Sequence, residues 1–175
     1  FTNFSNGNRV HKLAFDAENQ LFVATNRGLV KFEKGKFIDI LAEIDLADKN
    51  IRTLSVKDEN HIYFGTAKGF FQLIKENGRY KLIDYGNENP VMKNSIASIT
   101  PDSNGNYWIG TYGDGAYKFD GKSFSRIDYH HELYRQTVHG ITVDSKGVIW
   151  FSTLTGIIQY NPNNKQFSNL NQEHG

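Results

Sequence analysis

The sequence contains no cysteine, which excludes disulfides and thiolate metal sites. The compartment stays open on that count, because many exported proteins also lack cysteine. Prolines are few, Pro90, Pro101 and Pro162, set against 16 glycines and 14% aromatic residues, the balance of an all-β domain rich in turns. No apolar run approaches the roughly 18 residues that suggest a membrane-spanning helix, so no membrane contact is expected of this segment. Basic and acidic residues nearly cancel at a net charge of +1, which gives no general field for nucleic acid or anionic lipid. An opening at Phe1, with neither methionine nor a leader pattern, is expected of a processed or excised chain.

What the sequence does have is one motif four times over: a strand ending in a small residue and threonine, then a turn and a glycine. It reads LFVATNRG from Leu21, IYFGTAKG from Ile62, YWIGTYGDG from Tyr107 and IWFSTLTG from Ile149. The threonines Thr25, Thr66, Thr111 and Thr153 each stand 15 residues after an apolar residue, Val10, Ile51, Ile96 and Val138. They follow one another at 41, 45 and 42 residues, a spacing expected of β-propeller blades, whose single sheets cannot bury their faces alone.

Within a unit the pattern predicts four strands. Ile96 to Thr100 alternates as a half-buried strand does, and a turn from Asp102 to Gly105 leads into Tyr107 to Thr111. The turn opens with Asp16, Lys57, Asp102 and Asp144 in the four units and closes with Asn19, Asn60, Gly105 and Gly147, residues that accept positive φ cheaply. These aspartates are expected to bond local backbone N–H groups, not to catalyse. A third strand carries Leu29–Phe32, Phe70–Leu73, Ala116–Phe119 and Ile157–Tyr160, and a fourth starts near Phe37, Tyr80, Phe124 or Phe167. The predicted architecture is all-β, with four consecutive four-stranded antiparallel blades at about 8–41, 50–86, 95–129 and 137–171, in one partial propeller region over 1–175.

Alternate residues of a strand share a face, so Phe22, Tyr63, Trp108 and Trp150 sit with Ala24, Gly65, Gly110 and Ser152. A ring beside a small residue suits sheets packed face to face, and recurrence in every unit marks core in preference to a sugar-stacking platform. The recurring threonine reads as a fastener to neighbouring backbone, not a nucleophile.

These units resemble two-component regulator propeller repeats, in which an Asp-x-x-Gly turn precedes an aromatic strand ending in small-Thr and a strand begun by glycine. Asp102–Phe119 and Asp144–Tyr160 match best, whereas the first two units put Asn19 and Asn60 for glycine, Phe22 and Tyr63 for tryptophan, and Lys57 for aspartate. The resemblance covers nearly the whole chain. It implies an extracytoplasmic, periplasmic sensor region of a hybrid two-component system histidine kinase of Bacteroidetes type, non-catalytic in this segment, with an oligosaccharide as the usual ligand. Arrays of such repeats are usually longer than four, and Phe1–Phe4 resembles a fourth strand without its three predecessors, the orphan outer strand (1–5) of a preceding blade. Exposed terminal sheet faces would then favour closure or self-association.

Loops on a rigid scaffold are where recognition is expected. The loop entering each first strand and the loop between strands two and three should share one end, gathering Arg9, His11, Arg27, Arg52, Lys68, Tyr112, Asp114, Arg135 and His139. Cationic, aromatic and acidic groups together suit an oligosaccharide or other small ligand. Longer connections at 41–50, 86–95 and 128–137 lie toward the same end; Leu41–Leu46 is spaced for a short helical turn, and 86–90 reads as irregular loop. His130, His131 and Glu132, with His139 beyond, lack the His-Glu-x-x-His pattern, so neither metal nor other cofactor is expected. Two alternatives remain: a lyase on a propeller scaffold, resembling streptogramin lyases and needing His11 or His139 beside Asp114, or a protein-binding platform.

Overall fold

In the computed structural model, residues 8–127 and 133–170 are described. The expected strand at Phe1–Phe4 and the residues His130, His131 and Glu132 lie outside them. Sixteen strands form four antiparallel sheets of four, each in simple sequence order, with no α-helix among the described residues. The sheets are β1 (Val10–Phe15), β2 (Leu21–Thr25), β3 (Gly28–Glu33), β4 (Lys36–Asp39); β5 (Thr53–Asp58), β6 (His61–Thr66), β7 (Gly69–Glu76), β8 (Arg79–Asp84); β9 (Ile96–Pro101), β10 (Tyr107–Thr111), β11 (Ala116–Phe119), β12 (Phe124–Ile127); and β13 (Val138–Val143), β14 (Ile149–Thr153), β15 (Gly156–Asn161), β16 (Gln166–Leu170). Packing divides the chain into two compact units between Ile96 and Ala97.

In the first unit the face that carries Phe22 and Ala24 packs with Ile51 and with Leu54 and Phe64 of the second sheet, all at most 2% exposed. Gly65 shows why the motif keeps a small residue: a Cβ there would lie 2.5 Å from the Ile96 Cβ. The second unit repeats the arrangement, with Trp108 against Phe151 and Tyr160 at ring separations of 6.5 and 5.9 Å. Leu13 and Phe15 on the opposite face of β1 are exposed, and on one face of the fourth sheet Ile157 is exposed and Trp150 half-buried beside an apolar hollow.

The threonine is a fastener. The Oγ1 groups of Thr25, Thr111 and Thr153 donate to the carbonyls of Gly28, Gly115 and Gly156 at 2.8–3.0 Å, and each accepts a backbone N–H from the same turn. Thr66 accepts the Lys68 N–H at 2.9 Å. The first three of the motif threonines are buried, so their hydroxyls bond the turn without competition from water.

The turn aspartates also act locally, and two of them reach the tryptophan. Asp102 Oδ1 accepts the N–H groups of Asn104 and Asn106, while Oδ2 accepts the Trp108 indole N–H at 3.0 Å. Asp144 repeats this with Lys146, Val148 and, at 3.1 Å, Trp150. Aspartate and tryptophan six residues apart are therefore one device, which explains why they occur together in the third and fourth units only.

The second sheet departs from the expected alignment. Lys57 does not open its turn; Asp58 does, accepting the Asn60 N–H at 2.8 Å and the His61 ring nitrogen at 2.9 Å. A register shift between Val56 and Asp58 shortens this hairpin, and Asn60 has no positive φ, unlike Asn19, Gly105 and Gly147. The connections differ too. Leu41–Ile44 makes a single hydrogen-bonded turn, and the stretch expected to be irregular holds two 3-10 turns, Tyr85–Asn87 and Pro90–Lys93. Their start signals are Asp84 and Asn89, whose side chains accept the Gly86 and Val91 N–H groups.

Burial alone would raise the Asp102 carboxyl, but hydrogen bonds from Asn106, Trp108 and the Asn104 N–H outweigh it and hold it below the ordinary 3.8. The Val148 N–H and the Trp150 indole lower Asp144 likewise. A carboxyl depressed by folding stabilises above its unfolded value and loses that contribution as pH falls through the lower folded value. Melting temperature should therefore hold from neutrality to about pH 5 and fall below about pH 4. Asp102→Ala should melt lower than the parent at pH 6, with the gap narrowing as pH falls below about 4; parallel curves across that range would refute the assignment.

Candidate ligand-binding site

The loop entering a first strand and the loop between strands two and three do share an end. Arg9 N–H donates to Asn26 Oδ1 at 2.7 Å and Asn26 N–H to the Arg9 carbonyl, while in the second unit Gly115 N–H donates to the Gln136 carbonyl at 3.0 Å. The first strands of the first and fourth sheets each begin with a bulge, two residues facing one. His11 and His139 are the extra residues between Val10 and Lys12 and between Val138 and Gly140. Arg52 stands at the same position ahead of β5, its N–H on the Gly65 carbonyl and its guanidinium donating to Ser95 Oγ at 2.9 Å. Bulges re-aim side chains, and two of the nine expected residues, His11 and His139, occupy them.

The remaining residues of the first unit are less gathered. Arg27 and Lys68 are exposed at the tips of the β2–β3 and β6–β7 turns, their N–H groups fastened by Thr25 and Thr66. Lys68 lines a cavity beside the two 3-10 turns.

The second unit concentrates Tyr112, Asp114, Arg135 and His139. Its β10–β11 turn is one residue longer than the others, and the extra length displays Tyr112, 45% exposed, and Asp114. The Tyr112 ring meets His139 edge-on at 6.0 Å. Asp114 Oδ2 accepts from the Tyr117 hydroxyl at 2.8 Å, and Oδ1 pairs with Arg126 at 3.3 Å. The Arg126 guanidinium lies 4.4 Å from the centroid of Tyr134, itself 42% exposed, and Arg135 stands 5.3 Å from the same ring. Arg135 adopts a φ of 59°, a left-handed backbone uncommon outside glycine and asparagine.

Arg126 and Tyr134 escaped the sequence reading, although a signal for the first was present. On the fourth strand, the partner of Val30, Phe71 and Ile158 is Asp39, Asp84 and Asn169, and Asp39 and Asp84 accept backbone N–H groups of the next loop. In the third sheet the same place, opposite Tyr117, holds Arg126. A cation where the other units carry a carboxylate or amide cannot accept those bonds. It turns instead to Asp114 and Tyr134.

Four-stranded sheets in this order, each tied by the same threonine and glycine, are blades of a β-propeller. Residues 90–113, which include β9 and β10 of the third sheet, match the family model of the two component regulator propeller. The chain is 27% identical over 136 residues to histidine kinase P4 of Formosa agariphila, a match covering 74% of this chain and 10% of that protein. It thus spans about a tenth of the curated relative it matches. Among solved structures, the extracellular domain of a hybrid two component system of B. thetaiotaomicron superposes with a TM-score of 0.75 at 19% identity, over 94% of this chain and 23% of that one. Virginiamycin B lyase from Staphylococcus aureus gives 0.74 at 11% identity, over 97% and 57%. At such identities these structures establish the fold and nothing about chemistry.

Proposed function

We propose that this chain is an extracytoplasmic, ligand-sensing propeller segment of a hybrid two-component sensor, and that it binds a carbohydrate-derived ligand without catalysing a reaction. The observation that carries this reading is the group on the second unit's bulge end: two exposed tyrosines, Tyr112 and Tyr134, set among Arg126, Arg135, His139 and Asp114. Exposed rings offer apolar faces to a sugar, and the guanidinium and imidazole groups offer donors to its hydroxyls or acidic substituents. The likeness to extracellular sensor domains and to a histidine kinase supports the setting. Absence of catalysis is supported by where the polar groups are spent: the threonine hydroxyls bond backbone, and Asp114, the carboxylate a lyase-like His139 would need, bonds Tyr117 and Arg126.

A thermal-shift screen with neutral and acidic oligosaccharides tests the reading. At a ligand concentration 100-fold above Kd the chain should gain about 2.7 kcal/mol. Tyr112→Ala and Arg135→Ala should each weaken the effective sugar about tenfold or more, as loss of one stacking or charge-assisted contact does. A screen without any stabilising sugar, or stabilisation indifferent to both variants, would count against it.

A further inference from the structure

The first unit holds a cavity that no part of the repeat explains. It has a volume of about 400 Å³ and opens between the 45–48 connection, the β6–β7 turn, the end of β8 and the two 3-10 turns. None of these walls except the β6–β7 turn is built by the motif common to the four sheets. All are nonetheless fixed in place. Asp48 accepts the Asn50 N–H at 3.0 Å with one oxygen and the Ala67 N–H at 3.1 Å with the other, clamping its loop to the β6–β7 turn. Tyr85 donates to the buried Gln72 at 2.7 Å, and burial pushes its hydroxyl above the ordinary range. A Cβ at Gly69 would lie 2.7 Å from the Met92 carbonyl, so the second 3-10 turn packs directly onto the start of β7.

The lining carries charge of both signs that is not neutralised within it. With Asp48 committed to two backbone N–H groups, Asp45 and Asp84 remain as carboxylates, and Lys68 and Lys93 as ammonium groups. Asp84 spends Oδ1 on the Gly86 N–H. Among the described residues none of these four side chains forms an ion pair, although all four face one cavity. Beneath them Leu46 and Phe71 are buried, 7% and 6% exposed, and with Leu82 give an apolar floor. Two carboxylates, two ammonium groups and an apolar base are complementary to a molecule carrying its own cation, anion and apolar group. The volume lies near the lower end of the range for small-molecule sites, about 300–1,000 Å³, too small for an oligosaccharide of several units.

We infer that this cavity is a preformed site for a small zwitterion, an α-amino acid with an apolar side chain, distinct from the tyrosine-bearing group of the second unit. Lys68 and Lys93 hold its carboxylate, Asp45 and Asp84 its ammonium group, and the side chain rests on Leu46, Phe71 and Leu82. Because the walls are already braced, binding needs little reorganisation.

Isothermal titration of the chain with L-leucine and L-phenylalanine tests this, with N-acetyl-leucine, leucinamide and glucose as comparison probes. The free amino acids should bind. Each blocked form, having lost one charge, should bind about tenfold more weakly or worse, and glucose should give no heat, since losing a charge-assisted pair costs on the order of one decade in affinity. Asp45→Asn and Lys68→Met, both at exposed positions, should each weaken leucine about tenfold while leaving the melting temperature unchanged. Tyr112→Ala and Arg135→Ala should leave leucine binding intact, so this site can fail or stand independently of the sugar site. No heat with either amino acid, equal binding of the blocked forms, or a glucose signal lost in Asp45→Asn would each overturn the assignment.

Discussion

Replacing Trp108 with alanine is expected to destabilise the chain by about 3–5 kcal/mol, the range for truncating a buried aromatic residue. Trp108 is 1% exposed and packs edge-on against Phe151 and Tyr160, so truncation opens a cavity between the third and fourth sheets. The loss has a second part. Asp102 Oδ2 accepts the indole N–H, and without it that oxygen keeps only the Asn106 amide. Trp108→Phe separates the two parts: most of the volume stays and the hydrogen bond goes, which should cost about 1–2 kcal/mol. Urea denaturation of the three proteins gives the comparison. Equal losses for alanine and phenylalanine would mean that the hydrogen bond, not the packing, governs this position.

Gly110→Val should cost about 1–3 kcal/mol or more through overpacking, although it replaces the least bulky residue with a good strand former. A Cβ at Gly110 would lie 2.5 Å from Ser98 Oγ and 2.6 Å from the Val138 carbonyl oxygen. The serine can turn away, but the carbonyl belongs to β13 and moves only if the fourth sheet does. Ser152→Val is the matched control, since Ser152 is the equivalent residue of the fourth sheet and is exposed. It should change stability by no more than about 0.5 kcal/mol. A neutral Gly110→Val, measured by the same denaturation, would show that the motif's small residue is not there for inter-sheet approach.

The sequence reading recovered the scaffold because scaffold chemistry is periodic. Thr25, Thr66, Thr111 and Thr153 each bond the turn that follows, and Phe22 and Trp108 lie in cores beside Ala24 and Gly110 as alternation requires. Where the period slipped, the reading slipped with it: alignment favoured Lys57 as the turn residue, but a bulge moved that role to Asp58. The two 3-10 turns were hidden because Asp39, the counterpart of Asp84, leads into a different turn, and Asn89 belongs to a connection that does not repeat. Loop chemistry was only half legible for the same reason. Position along the repeat places His11, His139 and Tyr112 on the loop end, whereas Arg126 becomes conspicuous only when strand register shows Asp39, Asp84 and Asn169 in its place. The 45–93 cavity depends on which loops lean on one another, and linear spacing does not encode that.

Recurring residues thus build the sheets, and the proposed ligand contacts fall on departures from recurrence. The most direct test measures stability and binding on the same two variants, Thr25→Val from the motif and Tyr134→Ala from the non-repeating loop. The probe is the oligosaccharide that gives the largest thermal shift with the parent chain. Thr25→Val removes a buried hydroxyl bonded at 2.9 Å to the Gly28 carbonyl, and should lower stability by about 1–3 kcal/mol while leaving the sugar's Kd within twofold or so. Tyr134→Ala should do the reverse, holding stability within about 0.5 kcal/mol and weakening the sugar about tenfold. Affinity lost in Thr25→Val with its melting unchanged, or stability lost in Tyr134→Ala with its affinity unchanged, would contradict the division between scaffold and site.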